Sequence, residues 1–326
     1  MGVQFNDLIP KKEIPIKYLS GKTVAIDGMN VLYQFLSSIR LRDGSPLRNK
    51  KGEITSTYNG IFYKTIYMLE NDVTPVWVFD GKPPKLKEKT REERRKMREK
   101  AKEEFIKAKE IENIEEMQKY AKRMNFLTKD IVENSKKLLD LMGIPYVNAP
   151  AEGEGQASYM AKKGDVFCVV SQDYDALLYG APRVVRNLTA TKEELELIEL
   201  KEVLNELGIS HDDLIDMAIL IGTDYNPKGV KGIGPKKALE IAKSKNKELY
   251  LKAIENYEEI KNIFKNPKVT DEYNIKLKKP DKDSIIKFLV EENDFSLDRV
   301  QPHVEKLCKL IEKKTKQVTL DAWFGG

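Results

Sequence analysis

The chain is poor in the side chains that do most soft-metal and covalent chemistry. Its 326 residues include two cysteines, Cys168 and Cys308, and two histidines, His211 and His303. None falls at a zinc-ligand spacing, which excludes a zinc module. Two cysteines make no disulfide framework, and Cys168 lies inside an apolar run, which points to a reducing compartment. No Ser–His pair is available to activate a hydroxyl, so water is the expected attacker in any hydrolysis.

Long apolar runs are missing too. No stretch approaches membrane-spanning length, and no membrane partner is expected. The N-terminus, Met1-Gly2-Val3-Gln4-Phe5, lacks the basic-then-apolar order of a signal peptide. Asn6 stands where a myristoylation motif wants Ser or Thr. No internal repeat is visible. The glycine-rich segment 227–238 has Pro235 where a phosphate P-loop needs Lys, and it lacks the third glycine and preceding strand of a dinucleotide site. The net charge is only +5 although a third of the residues are charged, so the distribution of charge matters more than its sum. The Lys/Glu/Ile-rich, Cys-poor balance resembles thermophile usage.

Acids placed after apolar strands are what the chain does have. Val24-Ala25-Ile26 ends in Asp27-Gly28, and Val76-Trp77-Val78-Phe79 ends in Asp80-Gly81. The run Val166-Phe167-Cys168-Val169-Val170 leads into Ser171-Gln172-Asp173-Tyr174-Asp175. Glu152 and Glu154 open a helix after a strand-like run at 145–148, and Asp224 follows the apolar stretch 217–221. If the strands are parallel neighbours, these acids meet at their carboxyl ends, where open α/β sheets bind ligands. Seven carboxylates crowded together need cations. Oxygen ligands alone suit Mg²⁺, with Mn²⁺ as a substitute. A pair of such ions suits phosphoryl chemistry.

Periodicity predicts strands over 24–27, 75–80, 145–148, 166–170 and 184–185. Helices are expected over 29–40, 57–69, 131–142, 154–162, 214–221 (with Asp212 as a candidate cap), 253–264, 284–290 and 300–313. Segment 82–129 is intensely charged. Lys87, Arg91, Arg94, Arg98 and Lys102 line one helix face. The choice there lies between a solvated helix laced by ion pairs and a basic helix gripping phosphates. Segment 227–238 reads as a tight hairpin between two helices, its glycine-freed backbone N–H groups available to a phosphate.

Five of these stretches together carry a resemblance: Ile26-Asp27-Gly28-Met29-Asn30, Val78-Phe79-Asp80-Gly81-Lys82-Pro83-Pro84, Ala151-Glu152-Gly153-Glu154-Gly155-Gln156-Ala157, Ser171-Gln172-Asp173-Tyr174-Asp175 and Gly222-Thr223-Asp224-Tyr225. In order and spacing, across nearly the whole chain, they resemble the flap endonuclease family of XPG-type 5′-nucleases. The chain has neither the long central insertion of the repair branch nor the long tail of the exonuclease branch, and it looks archaeal.

The resemblance implies an α/β, PIN-like 5′-nuclease fold. Its central, mostly parallel twisted sheet would be flanked by helices, with a helical arch insertion and a helix-hairpin-helix motif. The implied organisation is a nuclease half at 1–98, an arch at 82–130, a second nuclease half with the hairpin at 116–258, a helical lobe at 259–315 and a clamp-binding tail at 316–326. The implied activity is two-metal hydrolysis of DNA near the junction of a 5′ flap with duplex, with 5′→3′ exonuclease side activity, in replication (Okazaki fragment maturation) and repair. Alternatives are a 5′→3′ exonuclease, an RNA-cleaving PIN nuclease or a non-catalytic clamp-bound binder of DNA structure.

Residue by residue, the resemblance implies that Asp27, Asp80, Glu152 and Glu154 hold one Mg²⁺ and that Asp173, Asp175 and Asp224 hold the other. Lys87 and Arg94 would be catalytic, steering the phosphate. Tyr33 would stack on a base. Arg40, Lys64 and Gly222 would contact DNA, although Lys64 lacks the planar fork of the Arg often found there. The basic stripe adds Arg98. Lys231, Gly232, Gly234 and Lys236 would hold duplex backbone, with K⁺ in the hairpin. Gln317, Leu320, Trp323 and Phe324 have the spacing of a sliding-clamp box, expected to be disordered when free and to order on a trimeric PCNA-like clamp; the alternative is a frayed tail whose Trp packs back on its own domain. The expected protein is a monomer, intracellular and nucleoid-associated, with no targeting signal.

Overall fold

The computed structural model describes residues 3–5, 8–110, 127–188, 194–244, 247–252 and 254–324. The side chains of residues 85, 89, 91, 94, 98, 102, 105, 108–110 and 317–324 lie outside that description. A seven-stranded sheet forms the centre, in the order β1-β7-β6-β5-β2-β3-β4. The strands are β1 (Lys12–Ile14), β2 (Thr23–Asp27), β3 (Thr74–Phe79), β4 (Tyr146–Asn148), β5 (Cys168–Val170), β6 (Arg183–Arg186) and β7 (Leu195–Glu199). β6, β5, β2, β3 and β4 run parallel. β7 and β1 complete one edge antiparallel, so the sheet is mostly parallel, as expected.

Alternation along the strands builds two cores. Ala25, Val76, Val78, Val169 and Val184 point to one face, and Val24, Ile26, Trp77, Phe79, Cys168 and Val170 to the other. Both faces are covered by helices, which is why these strands read as unbroken apolar runs. Among the described residues no helix is long and apolar enough to cross a membrane.

Most predicted elements appear within a few residues of the expected bounds, and four differences have identifiable causes. β1 has one apolar residue and no periodic signature; it exists by pairing with β7. The cap of helix His211–Ile221 is Ser210, in a capping box with Asp213, rather than Asp212. Asp212 instead reaches Lys265 at 2.8 Å. The helix predicted at 253–264 begins only at Tyr257, because Asn256 is left-handed with φ 60°. The last helix runs Leu297–Phe324, well past the expected end at 313. The tail contains no Gly or Pro before Gly325 to stop it.

Candidate active site at the carboxyl edge of the sheet

β2 and β5 are neighbours in the sheet, and the helices that follow them pack on opposite faces, which makes their carboxyl ends the place where such sheets bind ligands. Asp27 closes β2 and caps helix Gly28–Ser38, accepting from the Asn30 N–H at 3.1 Å. Asp80 follows β3 and accepts the Gly153 N–H at 2.7 Å. That bond ties Asp80 to the start of helix Gly153–Lys163, whose N-cap is Glu152 and whose first turn carries Glu154. The loop after β5 supplies Ser171, Asp173 and Asp175. Asp224 comes from the turn after helix His211–Ile221.

Cross-links between separate motifs hold this edge together. The Ser171 hydroxyl lies 3.1 Å from both Asp27 and Glu154. The Asn30 side chain donates to Asp173 at 3.0 Å and accepts the Gln172 N–H at 3.1 Å. The Val3 N–H donates to Asp175 at 2.8 Å. Lys87, in the turn Lys85–Lys87 that opens the charged segment, pairs with Glu152 and lies 3.4 Å from Asp224. Three residues on, the Thr90 hydroxyl donates to the Asp224 carbonyl at 2.8 Å. The charged helix Glu88–Glu110 is therefore anchored to the acids at its root.

Electrostatics show a shortage of positive charge. Burial, and then the neighbouring Asp80 charge, pushes Asp27 up to about 7. Burial and Asp173 push Asp175 up to about 7. Burial and Asp27 hold Glu154 well above the usual carboxylate range. Burial also raises Glu152, opposed by Lys87. For Lys87 itself burial works downward, but the charges of Glu152, Asp224 and Asp80 outweigh it and keep the ammonium firmly protonated. Among the described residues, no three acids close on one point tightly enough to hold an ion as they stand. Each leans on an internal partner instead. The donor set is all oxygen, and the raised carboxyl groups mark an electrostatic need that one ammonium does not meet. Both features fit a hard divalent cation.

The other predicted residues fall around this edge or away from it. Tyr33 is half-buried on helix Gly28–Ser38. Arg40 donates to the carbonyls of Ser37, at 3.1 Å, and of Gly44, so part of its guanidinium braces the loop after that helix. Lys64, half-buried on helix Ser56–Glu70, lies over the Tyr67 ring at 5.6 Å. Gly222 ends helix His211–Ile221 with φ 123°, and a Cβ there would meet the Pro227 carbonyl at 2.9 Å. The hairpin lies between that helix and helix Pro235–Lys243, with Lys231, Gly232, Gly234 and Lys236 exposed. Gly229 and Gly232 have positive φ. Gly234 was expected to need glycine's freedom, yet its backbone is extended and a Cβ would meet nothing within 4 Å. The side chains of Arg94, Arg98, Gln317, Leu320, Trp323 and Phe324 lie outside the described residues.

Sequence reasoning quoted Asn30 and Ser171 inside motifs but gave them no task. Their signal was a small polar residue beside a strand-ending acid. Tyr225, also inside a quoted motif without a task, has its hydroxyl 2.9 Å from that of Tyr179 beneath the acids, and Tyr179 carried no sequence signal.

The XPG N-terminal domain family matches residues 1–101 and the XPG I-region family residues 143–224. The chain is 69% identical to the flap endonuclease 1 of Methanocaldococcus jannaschii, over 99% of this chain and all of that protein. It is 51% identical to that of Pyrococcus abyssi, over 99% of this chain and 98% of that protein. The solved structure of flap endonuclease-1 from Methanococcus jannaschii superposes with a TM-score of 0.83 at 68% identity, covering 96% of this chain and all of that one. The catalytic core of Rad2 in complex with DNA substrate shares the fold, at TM-score 0.71 and 21% identity, over 94% of this chain and all of that one. With near-complete coverage in both directions and five motifs meeting at one edge, this chain belongs to the flap endonuclease 1 family.

Proposed function

We propose that the chain cuts a DNA phosphodiester beside the junction of a 5′ flap with duplex, with 5′→3′ exonuclease action at nicks as a side activity, in replication (Okazaki fragment maturation) and repair. One observation carries this reading. Acids from motifs scattered between Asp27 and Asp224 converge at one sheet edge, with the Lys87 ammonium set among them.

Asp27, Asp80, Glu152 and Glu154 would hold one Mg²⁺ or Mn²⁺, and Asp173, Asp175 and Asp224 a second. When bound, such ions supply the positive charge that favours ionised water and a charged phosphoryl group. The chain's own residues do the rest. Ser171 and Asn30 keep the carboxylates at fixed orientation. The Lys87 ammonium, held between Glu152 and Asp224, lies where a phosphoryl oxygen drawn to the acids would meet it, and it stabilises the charge that builds there. Arg94 follows on the helix that begins at Glu88 and completes the phosphate clamp. Tyr33, Arg40, Lys64, Arg98 and Gly222 place the strand being cut. Lys231, Lys236 and the hairpin backbone, with K⁺, grip the duplex away from the chemistry. The tail Gln317, Leu320, Trp323 and Phe324 recruits a trimeric sliding clamp.

Incubating the protein with an end-labelled 5′-flap duplex, in Mg²⁺ and in EDTA, tests the reading. Expected is a product cut near the junction in Mg²⁺ only. Asp80→Ala and Asp173→Ala should lower that cleavage by orders of magnitude while flap binding persists, because affinity rests on phosphate contacts elsewhere. Cleavage near the parent rate by either variant would reject the cage as drawn.

A further inference from the structure

Gln156 is the one polar side chain of the Glu152–Gly155 motif's first helical turn with no part in binding or chemistry. It is fully buried. Its amide nitrogen donates to the Thr270 carbonyl at 2.9 Å, and its oxygen accepts the Thr270 N–H at 2.8 Å. Thr270 belongs to segment 266–281, which has no regular secondary structure and crosses the outer side of helix Gly153–Lys163. The next residue of that strap, Asp271, accepts from the Tyr159 hydroxyl and the Lys163 ammonium, both at 2.9 Å. Gln156, Tyr159 and Lys163 stand at i, i+3 and i+7, a single stripe of the helix. Near the strap's start Pro267 comes so close to Gly155 that an added Cβ would be 3.1 Å away.

Glu152 and Gln156 are i, i+4 neighbours, joined by the backbone bond from the Gln156 N–H to the Glu152 carbonyl at 3.2 Å. Each residue of a helix turns the next by about 100°, so fixing Gln156 in rotation fixes the acids at the helix start. The helix start is also tied to the sheet, where Asp80 accepts the Gly153 N–H. We propose that Gln156 is a positioning residue: by clamping its helix to the Thr270 backbone it sets the orientation of Glu152 and Glu154 toward bound metal. Tyr159 and Lys163 lie farther from the acids and serve to hold the strap down.

This inference rests on the two-ion reading of the acids, and its test separates the two. Mn²⁺ is titrated into metal-free protein by calorimetry, with single-turnover flap cleavage in parallel. Gln156→Met keeps the side chain's length and removes both bonds. Its Mn²⁺ affinity and cleavage rate should fall about tenfold, as when a metal ligand loses its supporting partner. Flap affinity in EDTA should not change. Asp271→Asn, which weakens the lower anchors, should reduce Tm without moving Mn²⁺ affinity. A Gln156→Met protein with lower Tm but Mn²⁺ affinity within twofold of the parent would overturn the proposal. If that variant does not fold, Thr270→Pro removes the N–H given to Gln156, along with the hydroxyl that accepts the Glu272 N–H; unchanged Mn²⁺ affinity there also overturns it. Asp80→Ala is the control for the underlying reading, since parental Mn²⁺ affinity in that variant would reject the ion site itself.

Discussion

The Lys87 ammonium lies 3.4 Å from the Asp224 carboxylate while also pairing with Glu152. It therefore bridges two acids that are assigned to different ions. An ammonium in that place partly neutralises the edge before metal arrives, and it must yield when metal takes the same oxygens. Under the proposed mechanism, the residue that meets the phosphate is also the placeholder for the cation.

Lys87→Met separates those two tasks. Without metal, Glu152 and Asp224 lose their partner in a largely buried setting, and stability should fall by about 3 kcal/mol. Saturating Mg²⁺ should restore most of the loss. Mn²⁺ affinity should hold or rise, because a competing cation is gone, while single-turnover cleavage falls at least a hundredfold. Thermal melts with and without Mg²⁺, beside a rapid-quench assay, check this. A metal affinity that drops with the rate would instead make Lys87 a support for the acids.

The raised carboxyl groups give metal-free protein a pH dependence of definite sign. Asp27 and Asp175 bind a proton more tightly folded, at about 7, than their ordinary value near 3.8. The folded state then holds more protons than the unfolded chain between those values. The favourable contribution is complete below about 4 and is lost as pH rises through 7. In EDTA, Tm should climb as pH is lowered from 8 toward 5. Saturating Mg²⁺ should flatten this slope, since bound cations keep the acids ionised in the folded state. Parallel slopes with and without Mg²⁺ would show that the acids do not take up the ion.

The hairpin glycines are not equivalent. Gly229 has φ 48°, and a Cβ there would lie 2.2 Å from the Ile221 carbonyl, whereas Gly234 has open space and an extended backbone. Gly229→Ala should cost about 2 kcal/mol and weaken duplex binding through a distorted loop. Gly234→Ala should leave Tm within a degree or so of the parent, and any lost duplex affinity would then measure how closely a phosphate approaches. Melting curves and duplex binding at two salt concentrations distinguish the cases. A Gly234→Ala protein as unstable as Gly229→Ala would contradict the geometry.

The tail can be removed without touching the sheet. Lys306 pairs with Glu70, and Lys314 bonds Asp72 at 2.7 Å, so the last helix is docked before residue 317. Deleting 317–326 should leave flap cleavage within twofold when no clamp is present and abolish its stimulation by a cognate trimeric clamp. Calorimetry of the truncated protein against that clamp should show no binding. Unchanged affinity would move the clamp contact elsewhere.

What was legible in the sequence was the acid at the end of β2, β3 and β5. A β-branched run announces the strand, and an acid beyond its end stands out against it. Hidden were groups whose partners are distant. Asp216 lies in the middle of helix His211–Ile221, fully buried, and meets Lys261 and the Tyr257 hydroxyl at 2.7 Å and Lys247 at 3.2 Å. No local spacing reveals such a cluster, and on a helix surface an Asp reads as solvated. β1 was hidden for the same reason, because its cause lies in β7 and not in itself. The break before Tyr257 depends on one left-handed Asn, a conformation that a helical pattern does not exclude.

The apolar cluster that contains Trp77 and Phe79 also contains Ile285, Phe288, Leu289, Val300, Val304, Leu307 and Ile311. One face of β2 and β3 is therefore finished by helices that lie far downstream in the chain. During synthesis that wall stays uncovered until residue 311 has emerged, and the contacts that close it are long-range and slow to form. A chain in which residue 311 had not yet cleared the ribosome would be an unfinished and adhesive nuclease.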